Sequence, residues 1–98
     1  ADSLAPPMTT PMAYGLCRRH MERIVTVSDD EICRAMAVMF RDAKLAVEPA
    51  GATALAALLG PLREELRGQR TGLIVCGANL DAETYARQLA RGEQLLEA

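Results

Sequence analysis

The sequence predicts an α/β fold, part of a three-layer arrangement in which parallel strands are covered by helices on both faces. Three observations predict it. Two short runs, Ile24-Val25-Thr26-Val27 and Leu73-Ile74-Val75, are rich in β-branched residues and lack clear polar alternation, as strands buried on both faces do. Segments of helical length flank these runs in the order helix, strand, helix, helix, strand, helix, and helical connections favour right-handed crossovers between parallel strands. The hydrophobic mass is carried by Ala and the aliphatics, with Tyr14, Phe40 and Tyr85 the only aromatics, so layers can lie close together.

The elements follow in order. Pro6, Pro7 and Pro11 make the first eleven residues a loop, because proline fixes φ and removes a donor. Thr10 before Pro11 is a helix start, and the first helix is expected over 12–22. A strand is expected over 23–27. Ser28 with Glu31 three residues later forms a capping box, and Ile32, Ala35, Met36, Met39, Phe40 and Ala43 then draw one apolar stripe, predicting a helix from there to about residue 44. The run 52–59 has Thr53 as its only polar member, so that helix is expected to be covered on every side until Gly60 and Pro61 end it. Residues 62–67 suit one or two polar helical turns. A second strand is expected over 72–76, and Asp81 caps a last helix over 82–91 that Gly92 stops.

Composition narrows the function classes. The chain has 98 residues, 50 % of them hydrophobic and 24 % charged, with a net charge of −2. That is a single globular domain at most, with a thin core, and it lacks the basic excess of a nucleic-acid binder. No apolar run reaches the roughly 20 residues that span a bilayer, so no membrane partner is expected. Cys17, Cys33 and Cys76 are odd in number and lack framework spacing, which points to a reducing cytoplasm. Two buried strands and an all-apolar helix need more cover than these residues supply. The expectation is a piece of a larger sheet, completed by a longer polypeptide or another chain, and a start at Ala1 without Met agrees with it.

Few residues offer chemistry. Cys76-Gly77-Ala78-Asn79 follows the second strand, where open α/β sheets place their ligands. Small residues there admit a ligand to the backbone and Asn79 offers donors, although a tight turn needing Gly reads equally well. Glu48, ahead of Pro49, brings a carboxylate to a helix N-terminus, where the dipole favours it; a plain helix-start acid is the simpler reading. Gly51, Ala54, Leu55 and Leu58 suit close helix packing. Cys17 and His20 could ligate a metal with Cys33 as a third, but a fourth ligand is missing and no metal is expected. His20 is the only histidine and nothing aims it at a nucleophile. No P-loop and no G-x-G-x-x-G occurs, so no complete catalytic set is present.

Three stretches together carry a resemblance: Ala1-Asp2-Ser3-Leu4-Ala5; Val27-Ser28-Asp29-Asp30-Glu31-Ile32 leading to Leu45-Ala46-Val47-Glu48-Pro49-Ala50-Gly51-Ala52; and Leu73-Ile74-Val75-Cys76-Gly77-Ala78-Asn79-Leu80-Asp81. In order and spacing the chain resembles the C-terminal part of the serine/threonine dehydratase family, the pyridoxal-phosphate enzymes that also include serine racemase. The resemblance implies a segment of the cofactor-binding catalytic domain of a fold-type-II enzyme, akin to the tryptophan synthase β-subunit, over residues 1–98 and incomplete without its N-terminal part. It implies β-elimination of water from a 3-hydroxy amino acid such as threonine or serine, giving a 2-oxo acid and ammonia. It places Cys76, where the family usually has Ser, beside the pyridine nitrogen, with Gly77 and Asn79 shaping the turn and Glu48 in the pocket wall. Asp2 matches the Asp of the family's Ala-Asp-Gly motif near the active site, with Ser3 in place of Gly. The Schiff-base lysine, the Ser-x-Gly-Asn substrate loop and the glycine-rich phosphate loop have no match here, and Lys44 is not that lysine. The segment is therefore expected to be inactive alone. A racemase or other lyase of the family, or a free-standing α/β interaction module, are the alternatives, and in each case a homo-oligomer or the rest of the parent chain is expected to cover the bare faces.

Overall fold

The computed structural model of the chain describes residues 4–98. Thr10 accepts a hydrogen bond from the Ala13 N–H at 3.2 Å, and Pro11 sits where a missing donor costs nothing, so helix α1 spans Pro11–His20. It stops two residues short of the expected end and buries none of its residues.

The capping box at Ser28 forms as expected. The Glu31 N–H donates to Ser28 Oγ at 3.1 Å and the Ser28 N–H donates to Glu31 Oε1 at 2.9 Å, which starts α2 at Asp29–Val38. The helical run continues but changes winding, as a π-helical turn over Met39–Ala43. Lys44 closes it in the left-handed conformation at φ 59°, its N–H returning to the Met39 and Phe40 carbonyls. Helix α3 covers Pro49–Leu59, with Glu48 at its N-cap position. Residues 60–68 then form a string of turns rather than a regular helix.

Helix α4 corrects one expectation. Asp81 caps it, accepting from the Thr84 N–H at 3.0 Å, but it runs over Ala82–Glu97, straight through Gly92. Gly92 is buried: a Cβ there would collide with the Cys33 carbonyl on α2 and lie 3.1 Å from the Ala37 Cβ. The glycine is a point of close helix approach, not a stop. Its cost inside a helix, about 1 kcal/mol relative to Ala, is offset by the contact it allows.

The core follows from these approaches. Helix α2 lies between α4 and α3, and Ile32, Ala35, Met36, Met39, Val47, Ala52 and Ala56 form the buried cluster, with Val27, Leu55, Leu80 and Tyr85 packed around it. The Phe40 and Tyr85 rings meet edge to face with centroids 6.3 Å apart. Arg91 pairs with Asp30 across the α2–α4 seam, its Nε 2.9 Å from Oδ1. Helix α3 buries only Ala50, Gly51, Ala52 and Ala56, and Leu59 is exposed, so the expected cover on every side is absent among the described residues.

The two expected strands, over 23–27 and 72–76, are not formed among the described residues, and no ladder joins either to another segment. Ile24 is 78 % exposed and Ile74 82 %. The physical reason is that a strand exists only as one side of a hydrogen-bonded ladder; sequence preference for β structure does not by itself create a partner. No described helix is long and apolar enough to cross a membrane.

Candidate functional site

The first turn of α3 and the segment after residue 75 meet. Pro49 fixes the backbone at the start of α3, which leaves Glu48 in extended conformation at the N-cap with its own N–H turned outward. That N–H donates to the Gly77 carbonyl at 3.2 Å. One residue earlier, the Cys76 Sγ lies 3.8 Å from the Ala50 carbonyl as a donor, a long contact of the kind sulfur makes. Beyond Gly77, the Leu80 N–H returns to the Ala78 carbonyl at 3.0 Å, closing a three-residue turn centred on Asn79.

Two glycines make this contact possible. A Cβ on Gly51 would lie 2.7 Å from the Gly77 carbonyl oxygen, and a Cβ on Gly77 would lie 2.7 Å from Glu48 Oε1. Only hydrogen fits at either place with the neighbours where they are. The Glu48 side chain makes no cap hydrogen bond, so its carboxylate is directed to the turn and not to the helix it precedes. Glu48 and Gly77 are half-buried, whereas Cys76 and Asn79 are exposed.

The structure therefore brings together Glu48 and Cys76-Gly77, which lie far apart in sequence, and sets Asn79 in the turn beyond them. Asp2 lies outside the described residues. Gly51 is the residue whose part in the site the sequence reading misses: with Ala54, Leu55 and Leu58 it suits helix packing, and the available signal is a glycine two residues after the helix-starting Pro49, where almost any other residue would serve a helix better. The candidate metal ligands are not gathered. Cys17 and His20 are exposed on α1 and Cys33 is buried on α2, and no group of three His, Cys, Asp or Glu able to hold a metal occurs among the described residues. Burial pushes the Cys33 thiol above its ordinary value, which makes it an inert side chain of the core.

An exposed thiol, a half-buried carboxylate and a backbone stripped of Cβ atoms fit one end of a flat heteroaromatic ring. The thiol offers a ring nitrogen a weak partner, and the glycines let the first turn of α3 and the 76–77 backbone close on each other beside it. Residues for the ring's other substituents are not part of this cluster.

Comparison with known proteins agrees with that chemistry. A sequence model of the pyridoxal-phosphate dependent enzyme family matches residues 1–77. Phenylserine dehydratase of Ralstonia pickettii is 54 % identical over 92 residues, which are 94 % of this chain and 28 % of that protein. L-threo-3-hydroxyaspartate ammonia-lyase of a Pseudomonas species is 42 % identical over 76 residues, covering 78 % of this chain and 24 % of the relative. Serine racemase of Schizosaccharomyces pombe is 32 % identical over 78 residues, 80 % of this chain and 24 % of its own length. The chain thus spans about a quarter of the length of these curated relatives.

Proposed function

The chain belongs to the pyridoxal-phosphate dependent enzymes, and from that premise we propose that it is one wall of the active site of a dehydratase. The parent enzyme removes water from a 3-hydroxy amino acid and releases a 2-oxo acid and ammonia. The observation that carries this reading is the junction of Glu48 with Cys76-Gly77, joined by the 3.2 Å hydrogen bond from the Glu48 N–H to the Gly77 carbonyl. Relatives named for phenylserine and 3-hydroxyaspartate supply the substrate class, since both compounds carry a hydroxyl at carbon 3.

Pyridoxal phosphate, when bound, supplies an electron sink for the substrate's α-carbon. Cys76 would hold the ring nitrogen with a thiol where other pyridoxal enzymes use a carboxylate, which would leave that nitrogen largely unprotonated and temper the sink, as suits β-elimination. Gly77 and Asn79 would shape the turn against the ring and Glu48 would form the adjoining wall, and the match of Asp2 to the family's Ala-Asp-Gly motif would assign that residue to the neighbourhood of the active site. The reactive lysine and the phosphate loop belong to other parts of the parent chain, so this segment alone is inactive. Residues 23–27 and 72–76 become strands of the fold-type-II sheet once the parent chain or a second copy supplies ladder partners. The exposure of Ile24 and Ile74 supports this. Three free cysteines support residence in a reducing cytoplasm.

A free-standing interaction module has less support, because docking gives no reason for Glu48 and Cys76 to meet. A racemase of the same family is the second reading, favoured by the serine racemase match. The test is turnover by the full-length protein of L-threonine, L-serine and 3-phenylserine with added pyridoxal phosphate. Formation of 2-oxo acid and ammonia is expected. A D-amino acid without oxo acid would select the racemase, and no turnover of any of the three would overturn the proposal.

A further inference from the structure

Gly51 touches neither substrate nor cofactor in the reading above, yet its missing side chain governs where the Cys76 turn sits. A Cβ at this position would lie 2.7 Å from the Gly77 carbonyl oxygen and 3.4 Å from the Gly77 nitrogen, both backbone atoms that cannot rotate away. On its other side the same Cβ would meet the Val47 Cβ at 3.4 Å. Gly77 differs in kind, because a Cβ there meets only the far end of the Glu48 side chain. The Gly77 carbonyl is meanwhile held from the same helix turn by the Glu48 N–H at 3.2 Å, and Cys76 Sγ reaches the Ala50 carbonyl at 3.8 Å. Residues 48, 50 and 51 therefore grip residues 76 and 77 at three points, all through main-chain atoms of α3 and its N-cap.

We infer that Gly51 is a positioning residue for the ring end of the cofactor site: its lack of a Cβ lets the first turn of α3 seat on the Gly77 carbonyl and so sets how far the Cys76 thiol reaches toward the ring. The inference rests on the reading that Cys76 faces the pyridine nitrogen. An added methyl at residue 51 must push the 76–77 backbone away from α3, because the atom it meets is a carbonyl oxygen on the main chain. The thiol moves with that backbone.

The test uses the full-length holoenzyme and five variants, read by the visible absorbance of bound pyridoxal phosphate, its pH dependence and the rate of Cys76 alkylation in cofactor-free protein. Gly51→Ala is expected to shift the cofactor band and its pH profile and to change the alkylation rate severalfold. Gly92→Ala, which strains the α2–α4 seam, is expected to lower thermal stability and leave all three readouts as in wild type. A Gly51→Ala protein that folds with wild-type band, pH profile and alkylation rate overturns the inference. If Gly51→Ala does not fold, Glu48→Pro and Glu48→Ala decide. Both lack the carboxylate, the Glu48 φ of −71° accommodates proline, and only Pro lacks the N–H that holds Gly77. Glu48→Pro should then hold pyridoxal phosphate about tenfold more weakly than Glu48→Ala, the factor that corresponds to one lost hydrogen bond; equal affinities overturn the inference. Cys76→Ala separates the two levels of the argument. A band and pH profile unmoved by Cys76→Ala would sink the reading that Cys76 meets the ring, whereas movement with Cys76→Ala but not with Gly51→Ala would sink the positioning role alone.

Discussion

Individual side chains in this protein matter most where they are smallest. Gly92 faces the Cys33 carbonyl across the α2–α4 seam, and a methyl group there has no room unless one helix shifts. Overpacking of this kind costs about 1–3 kcal/mol, so Gly92→Ala should lower the urea midpoint of the full-length protein with little change in slope. A wild-type midpoint would mean that the two helices are not so closely apposed. The three cysteines offer a second check, because their exposure differs while their chemistry is the same. Cys17 and Cys76 are exposed and Cys33 is 4 % exposed, its thiol raised above the ordinary value by burial. Only thiolates alkylate, so iodoacetamide at neutral pH should modify Cys17 and Cys76 in the cofactor-free protein and reach Cys33 only after unfolding. Peptide mass spectrometry of the labelled protein reads the order directly, and early labelling of Cys33 would contradict the packing of α2 against α4.

At the scale of elements, the caps form as the sequence predicts and the strands do not form among the described residues, and the difference is physical. A capping box such as that of Ser28 and Glu31, or the Asp81 cap of α4, needs only three or four consecutive residues, so local sequence is enough to specify it. The runs 23–27 and 72–76 carry the composition of strands, but a ladder needs a neighbour that local sequence does not specify. Gly92 shows the same division, since a glycine that ends a helix and one that admits a neighbouring helix look alike until the partner is known. The Asp81 cap gives a pH prediction with a definite sign. The Thr84 N–H hydrogen bond holds the Asp81 carboxyl below its usual range. A carboxyl whose folded value is depressed stabilises the fold fully above its unfolded pKa of about 3.9 and loses that contribution as pH falls through the folded value. Asp81→Asn keeps an acceptor at the cap and removes the titration. The stability of wild type relative to Asp81→Asn should therefore shrink as pH falls below the unfolded carboxyl value of about 3.9, followed by hydrogen exchange of the α4 amides; a constant difference would place the cap elsewhere.

For the molecule as a whole, the site and the bare faces lead to the same conclusion from different directions. Glu48 and Cys76-Gly77 meet at the junction proposed as one end of a cofactor site, and the segment that carries Cys76 also carries the exposed Ile74 and Val75. An apolar segment next to a ligand site is what a strand of an open α/β sheet presents when its neighbours are supplied by the rest of the protein. The resemblance in the sequence indicated that junction because Glu-Pro-Ala-Gly and Cys-Gly-x-Asn are local motifs, while the hydrogen bond that joins them depends on the fold. Ile74 separates a covered segment from a solvated one. Substituting an exposed residue changes stability by within about 0.5 kcal/mol, whereas burying an unpaired ammonium costs several kcal/mol. Ile74→Lys should thus be harmless if residue 74 stays as exposed as its 82 % accessibility here, and severe if residues 72–76 form an inner strand. In the full-length protein the expected result is a lowered melting temperature and weakened retention of pyridoxal phosphate, because the displaced strand carries Cys76 with it. An unchanged melting temperature would show that the segment reaches the site without entering a sheet, and the neighbours proposed for it would then have to be abandoned.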